Sequence, residues 1–314
     1  GKAALVGFQD VPGVSICVFY PQGGVSQVQR AQMVTQEGRN VSVCAVEGNF
    51  DDAQTGVKNI FHDTQGKPLP FRLSSANSIN IGRLAPQIMY YFRAYRDLLD
   101  RKAFVLGDKV DFSVPTGNFG DILAGYLAKK LGLPLGRLYC ASNANNVLTD
   151  FITTGTYDRR RPLLKTTSPS MDILVSSNLE RLLYLLSGDT ALVAGLMKDL
   201  NEKGYYTVPE ALLAAIQKEF GAGFCDDADA QAVIGRVYRD YGYLMDPHTA
   251  SGWFVAEQNR GENQMVVLST ASPYKFSTTV LTAIGGDTQG TEYERMERLH
   301  ALTGVPIPKN LASL

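Results

Sequence analysis

Three short stretches hold the residue types from which a binding site for anions could be built. In SVPTGNFGDILAGYLAKK (Ser113 to Lys130) an apolar strand breaks at Pro115 into Thr116-Gly117-Asn118-Phe119-Gly120 and passes at once into a helical pattern. Such a turn gathers backbone N–H groups without helical acceptors at the positive end of the helix dipole, and its glycines let the chain approach an anion closely. Thr116 and Asn118 could add side-chain hydrogen bonds. The spacing is neither a Walker loop nor GxGxxG, so a monophosphate fits better than a nucleoside triphosphate. An ordinary strand-to-helix turn capped by Asn118 or Asp121 would give the same letters.

The second stretch, SSANSINIGRLAPQ (Ser74 to Gln87), sets Ser74, Ser75, Asn77, Ser78 and Asn80 ahead of an apolar helix and adds Arg83, whose planar guanidinium suits carboxylate or phosphate. Plain helix capping by Ser78 or Asn80, with Arg83 solvated, is the competing reading. The third, VVLSTASPYKF (Val266 to Phe276), ends a strand in Ser269-Thr270-Ala271-Ser272-Pro273. Ligands of open parallel sheets sit beyond the carboxyl ends of strands, so Thr270 and the Thr116 turn could line one crevice, although a Ser-Pro turn is the simpler account. Asp246-Pro247-His248-Thr249 reads as a helix start rather than an acid/base site, Arg159-Arg160-Arg161 as a solvated loop, and Tyr90-Tyr91 as core.

Elements that alternate in type must position these stretches. Val14 to Pro21 and Val41 to Gly48 read as strands, Val25 to Gly38 and Phe50 to Phe61 as helices, which implies βαβ crossovers and a parallel sheet. His62 to Pro70 reads as a boundary loop. A long helix over Ile81 to Leu99, a strand at Val110 to Val114, a helix at Asp121 to Gly132 and a strand at Leu135 to Ser142 follow. The expected organisation is α/β, with parallel sheets and flanking helices in two lobes, 1–73 and 74–314, and a helical insertion at about 150–241.

Composition narrows the function classes. Of 314 residues, 19% are charged and 30 are glycine, a balance suited to strands covered on both faces and joined by tight turns. The net charge of −1 offers no field for nucleic acid or anionic lipid, and no apolar run approaches the ~18 residues of a spanning helix. Four scattered cysteines and three histidines make a metal site improbable and fit a reduced, cytoplasmic setting. A monomer is expected.

Four segments in this order, SANSINIGRLAPQ, SVPTGNFGD, SPSMDILVSSNLERLL (Ser168 to Leu183) and GVPIPKNLASL (Gly304 to Leu314), resemble threonine synthases of the microbial type over essentially the whole chain. The resemblance implies the fold type II architecture of the tryptophan synthase β subunit and the cofactor pyridoxal 5′-phosphate. It implies that Thr116, Gly117, Asn118, Phe119 and Gly120 hold the cofactor phosphate and that Thr270 faces the pyridine nitrogen. Asn77, Ser78 and Arg83, with Asn80 beside them, match the grip on the phosphate of O-phosphohomoserine. The implied reaction eliminates that phosphate and adds water to give threonine. By the same resemblance the Schiff-base lysine lies in a segment preceding Gly1, and Lys2, Lys102, Lys109 and Lys275 do not stand in its context. The chain is therefore expected to be a fragment that does not turn over by itself. A catalytically silent module that binds a phosphorylated metabolite is the alternative.

Overall fold

The computed structural model describes residues 2–25, 27–48, 50–77 and 80–312. The chain divides into two units, residues 1–77 with 289–314, and residues 78–288.

The first unit carries α1 (Lys2–Phe8), β1 (Ile16–Pro21), α2 (Gln27–Val34), β2 (Val41–Val46) and α3 (Phe50–Thr64). The two strands run parallel, Ile16 opposite Val41 through Pro21 opposite Val46, as the βαβ pattern requires. α3 runs on to Thr64, so the expected boundary loop begins at Gln65 rather than His62.

The second unit opens with α4 (Ile81–Leu84), a 3-10 turn over Ala85–Gln87 and α5 (Ile88–Asp100). The long helix expected over 81–99 is thus broken, because Pro86 at the start of the 3-10 turn has no N–H for an α-helical bond. Then come β3 (Val110–Pro115), α6 (Gly120–Lys130), β4 (Leu135–Ser142), α7 (Val147–Thr154), β5 (Thr156–Asp158), α8 (Leu179–Ser187), α9 (Thr190–Lys203), β6 (Tyr205–Thr207), α10 (Glu210–Glu219) and β7 (Phe220–Phe224). The unit closes with α11 (Asp227–Tyr241), α12 (Pro247–Gln258), β8 (Gln264–Val267) and α13 (Ser277–Ile284). A four-stranded, all-parallel sheet in the order β7-β4-β3-β8 is its centre.

Residues 150–241 are therefore not a helical insertion. β7 lies within them as a strand of the central sheet, and β5 and β6 form an antiparallel pair. The sequence Phe-Gly-Ala-Gly-Phe hides β7, since two glycines leave little alternation to read. Likewise α14 (Glu292–Thr303) and α15 (Lys309–Ala312) fall outside the large lobe expected at 74–314 and group with the first unit. The reason is local: the Glu292 carboxylate accepts the Gln27 and Val28 N–H groups at 3.1 and 3.0 Å, satisfying the open amino end of α2.

The core of the second unit fills the space between the sheet and α5, α6, α7, α8 and α10. Of the aromatic pair in α5, only Tyr91 is core, tilted on Phe112 with ring centroids 4.9 Å apart, while Tyr90 is 60% exposed. Adjacent helical positions lie about 100° apart, so both cannot face one sheet.

Candidate functional site

β3 delivers the expected turn to the carboxyl edge of the central sheet. Thr116 is buried there; its N–H donates to Ala141 O at 2.7 Å and its hydroxyl to Val114 O at 2.6 Å. Asn118 Oδ1 accepts the Gly120 N–H at 2.8 Å. Both side chains bond to the backbone and shape the turn, the Thr116 hydroxyl as donor and Asn118 through its oxygen. Phe119 takes a left-handed φ of 64° and buries its ring against Phe220, which holds the turn open just before α6 begins.

The peptide groups of this turn are oriented from one side. Ser176 Oγ donates to Gly117 O at 2.8 Å, and the Asn178 N–H and Nδ2 donate to Asn118 O at 3.1 and 3.0 Å. In a trans peptide the following N–H points opposite to its carbonyl, so the Asn118 and Phe119 N–H groups face away from residues 176–178. Among the described residues no acceptor takes the N–H of Gly117, Asn118 or Phe119. The result is a nest of donors at the positive end of α6. Gly117 is needed for its closeness: a Cβ there would meet Ser170 O at 3.0 Å and Met171 Cα at 3.2 Å.

One acidic group stands beside the nest. Asp121, in the first turn of α6, has its carboxyl pushed up to about 6, chiefly by burial, with the Tyr91 hydroxyl partly opposing the shift. That hydroxyl donates to Asp121 O at 2.8 Å and lies 3.4 Å from Oδ1.

Asn80 caps α4, its Oδ1 accepting the Gly82 N–H at 2.9 Å. Arg83 is an exposed residue near the end of α4, and that short helix packs against α6, whose amino end is the nest. Asn77 is exposed, with its N–H 3.4 Å from Ser75 Oγ. Ser78 lies outside the described residues. Thr270 is exposed beyond β8, which ends at Val267 rather than Thr270. Because β8 neighbours β3, Thr270 and the Thr116 turn leave the sheet from adjacent strands at the same edge.

Two polar clusters stand beside these elements, one that the sequence did not single out and one at the helix start it marked at Asp246. Asp172 accepts from Asn143 Nδ2 (2.8 Å), Asn145 Nδ2 (3.0 Å), the Thr166 hydroxyl (2.7 Å) and the Thr166 N–H (3.0 Å), which ties the segment carrying Ser170, Ser176 and Asn178 to the end of β4. At the start of α12, buried Asp246 binds the ring of His248 and the hydroxyl of Thr249. The signal for the first cluster was Asn143-Ala144-Asn145-Asn146 directly after an apolar strand, where polar side chains at a buried edge need fixed partners.

The basic run bonds locally: Arg160 to Asp158, Arg161 to Asp150, and Arg159 to the Asn201 carbonyl. Among the described residues no three His, Cys, Asp or Glu side chains gather as for a metal ion, and no helix is long and apolar enough to cross a membrane.

Residues 249–309 match the family described as threonine synthase, C-terminal. Threonine synthase-like 1 of Homo sapiens is 40% identical over 297 residues, covering 90% of this chain and 40% of that protein. Threonine synthase of Pseudomonas aeruginosa is 43% identical over 286 residues, covering 89% of this chain and 59% of that enzyme. The crystal structure of a PLP-bound threonine synthase from Brucella melitensis superposes with a TM-score of 0.83 at 42% identity, covering 95% of this chain and 63% of that one. The chain thus spans about two fifths to three fifths of the length of these relatives.

Proposed function

We propose, from the premise that this chain is related to the threonine synthases along nearly its whole length and carries their carboxyl-terminal domain at residues 249–309, that it provides the two phosphate grips of a pyridoxal-phosphate enzyme. That enzyme would convert O-phosphohomoserine and water into threonine and phosphate. The observation that carries the reading is the nest at Gly117, Asn118 and Phe119, whose N–H groups have no acceptor among the described residues and whose carbonyls are pinned from behind.

The donor set fits the cofactor's phosphate. Backbone N–H groups at a helix start suit a phosphate monoester, and the lack of a Cβ at Gly117 leaves the backbone free to sit tightly against Ser170. When bound, pyridoxal phosphate supplies an electron sink for negative charge developing on the amino acid. Gly117, Asn118 and Phe119 would hold its phosphate through their open N–H groups, while Gly120, whose N–H is engaged by Asn118 Oδ1, and Thr116 shape the turn. Thr270 offers a neutral hydroxyl to the ring nitrogen. Asn77, Ser78, Asn80 and Arg83 take the substrate's phosphate, with Arg83 stabilising charge on that group as it departs. The setting proposed is cytoplasmic, in keeping with four cysteines widely spaced in the sequence.

Equilibrium dialysis tests the reading. Pyridoxal 5′-phosphate should be retained by the chain in preference to pyridoxal, and inorganic phosphate should compete with it. Equal retention of pyridoxal and its phosphate would remove the nest from the account. In a form extended to the length of the relatives, release of phosphate from O-phosphohomoserine separates an enzyme from a silent binding module.

A further inference from the structure

The start of α12 holds five hydrogen bonds whose directions are fixed by chemistry. Asp246 is fully buried, and as a carboxylate it can only accept. Its Oδ1 takes the His248 N–H at 2.9 Å and the ring Nδ1 at 2.8 Å, and its Oδ2 takes the Thr249 hydroxyl. The ring therefore carries its proton on Nδ1, and Nε2 is left as the acceptor that receives the Ser170 N–H at 3.2 Å. Thr249 Oγ1, having donated its proton, accepts the Thr270 N–H at 3.2 Å. The ring of Phe276, 4.8 Å from that of His248 between centroids, closes the node on its remaining side.

The two outer bonds lead to Ser170 and to Thr270. Ser170 is the residue whose carbonyl presses on Gly117, and its segment continues to Ser176 and Asn178, which orient the nest. Thr270 stands three residues beyond the end of β8 at Val267. We infer that Asp246, His248 and Thr249 form a positioning node that holds the wall behind the phosphate nest and the Thr270 wall in register through one buried carboxylate. None of the three acts on the substrate. The inference rests on the proposed cofactor site for its consequence, while the node itself can be tested without any ligand.

Two substitutions divide the node. His248→Asn keeps a donor near Nδ1 and removes the acceptor for Ser170; Thr249→Val keeps the shape and removes the acceptor for Thr270. His248→Gln, which can return an oxygen near the Nε2 position, is the rescue. Amide hydrogen exchange on the unliganded chain should rise at Ser170 in His248→Asn, at Thr270 in Thr249→Val, and at neither in His248→Gln. Dialysis against pyridoxal 5′-phosphate should show about fivefold weaker binding for the first two variants, the net worth of one part-buried hydrogen bond, and recovery in His248→Gln. Unchanged exchange at Ser170 and Thr270 would overturn the node. Raised exchange with cofactor affinity unchanged would make it a structural buttress alone and overturn its link to the site. If the unsubstituted chain bound neither pyridoxal 5′-phosphate nor inorganic phosphate, the cofactor reading would fall, and the exchange data would still decide the node.

Discussion

Substituting Gly117 by alanine isolates the nest from the rest of the molecule. The glycine has no left-handed φ, so an alanine adopts its backbone without conformational strain. What opposes the new methyl is contact: Ser170 O at 3.0 Å and Met171 Cα at 3.2 Å, both backbone atoms of a segment tied down through Asp172 and His248. Relief requires a shift of a few tenths of an ångström, and overpacking of this kind costs about 1–3 kcal/mol. The cost divides between the fold and the ligand. If half falls on the turn, its N–H groups move off the phosphate oxygens and affinity for pyridoxal 5′-phosphate drops by about fivefold, with about 1 kcal/mol lost from stability. Calorimetric titration with pyridoxal 5′-phosphate and with inorganic phosphate, alongside thermal melting, measures both parts. Gly195→Ala is the control, because its Cβ meets nothing within 4 Å in the helix Thr190–Lys203 and should stabilise by up to about 1 kcal/mol. A Gly117→Ala protein that binds both ligands as the parent does, at unchanged stability, would refute the reasoning: the segment would then be free to retreat and the nest would not be a fitted one.

Asp121 should make stability depend on pH in an unusual direction. Its carboxyl is raised from 3.8 to about 6 in the fold, so the folded chain holds the extra proton and this contribution is lost as pH rises from about 4 to about 6. The shift corresponds to about 3 kcal/mol, of which the helix dipole returns up to about 1; Asp121→Asn should gain about 2 kcal/mol at pH 7 and nothing at pH 3.5, as read from denaturant midpoints at both. Equal changes at the two pH values would contradict burial as the cause. Arg83→Ala should weaken binding of O-phosphohomoserine and slow phosphate release in a full-length form while leaving retention of pyridoxal 5′-phosphate within twofold; parallel loss of both would merge the two proposed grips into one. Gly125→Ala drives a methyl to 2.6 Å from the Tyr91 ring, between helix and helix in the core, and should lower stability by about 2–3 kcal/mol in melts. No loss would mean that α5 slides readily over α6.

The local features of the nest were legible in the letters. A β-branched run, Pro115, two glycines three residues apart and a helical period specify strand, turn and helix within eighteen residues, because each depends on the backbone's own preferences. The parallel pairing of β1 with β2 and of β3 with β4 followed from strand-helix alternation for the same reason. So did the cap reading of Asn80. The motifs that resemble threonine synthases lay in the sequence as well, and the threonine synthase of Pseudomonas aeruginosa matches 89% of the chain.

What escaped was everything whose partners are distant along the chain. Ser170 meets His248 across 78 positions, Gly117 meets Ser176 across 59 and Thr167 meets Asp227 across 60. The hydroxyl of Thr116 looked available for a ligand until the fold supplied the Val114 carbonyl as its partner, and the Asn118 oxygen is spent on the Gly120 N–H. β7 was invisible because its place beside β4 comes from the sheet edge it completes rather than from its own glycine-rich residues. Residue order fixes which turns and helices can form, since those close within a few peptide units. Which carbonyls are pinned and which N–H groups stay open is decided only when the segments bearing Asp172 and Asp246 fold against the strand ends, because a hydrogen bond is set by position in space and has no signature in spacing.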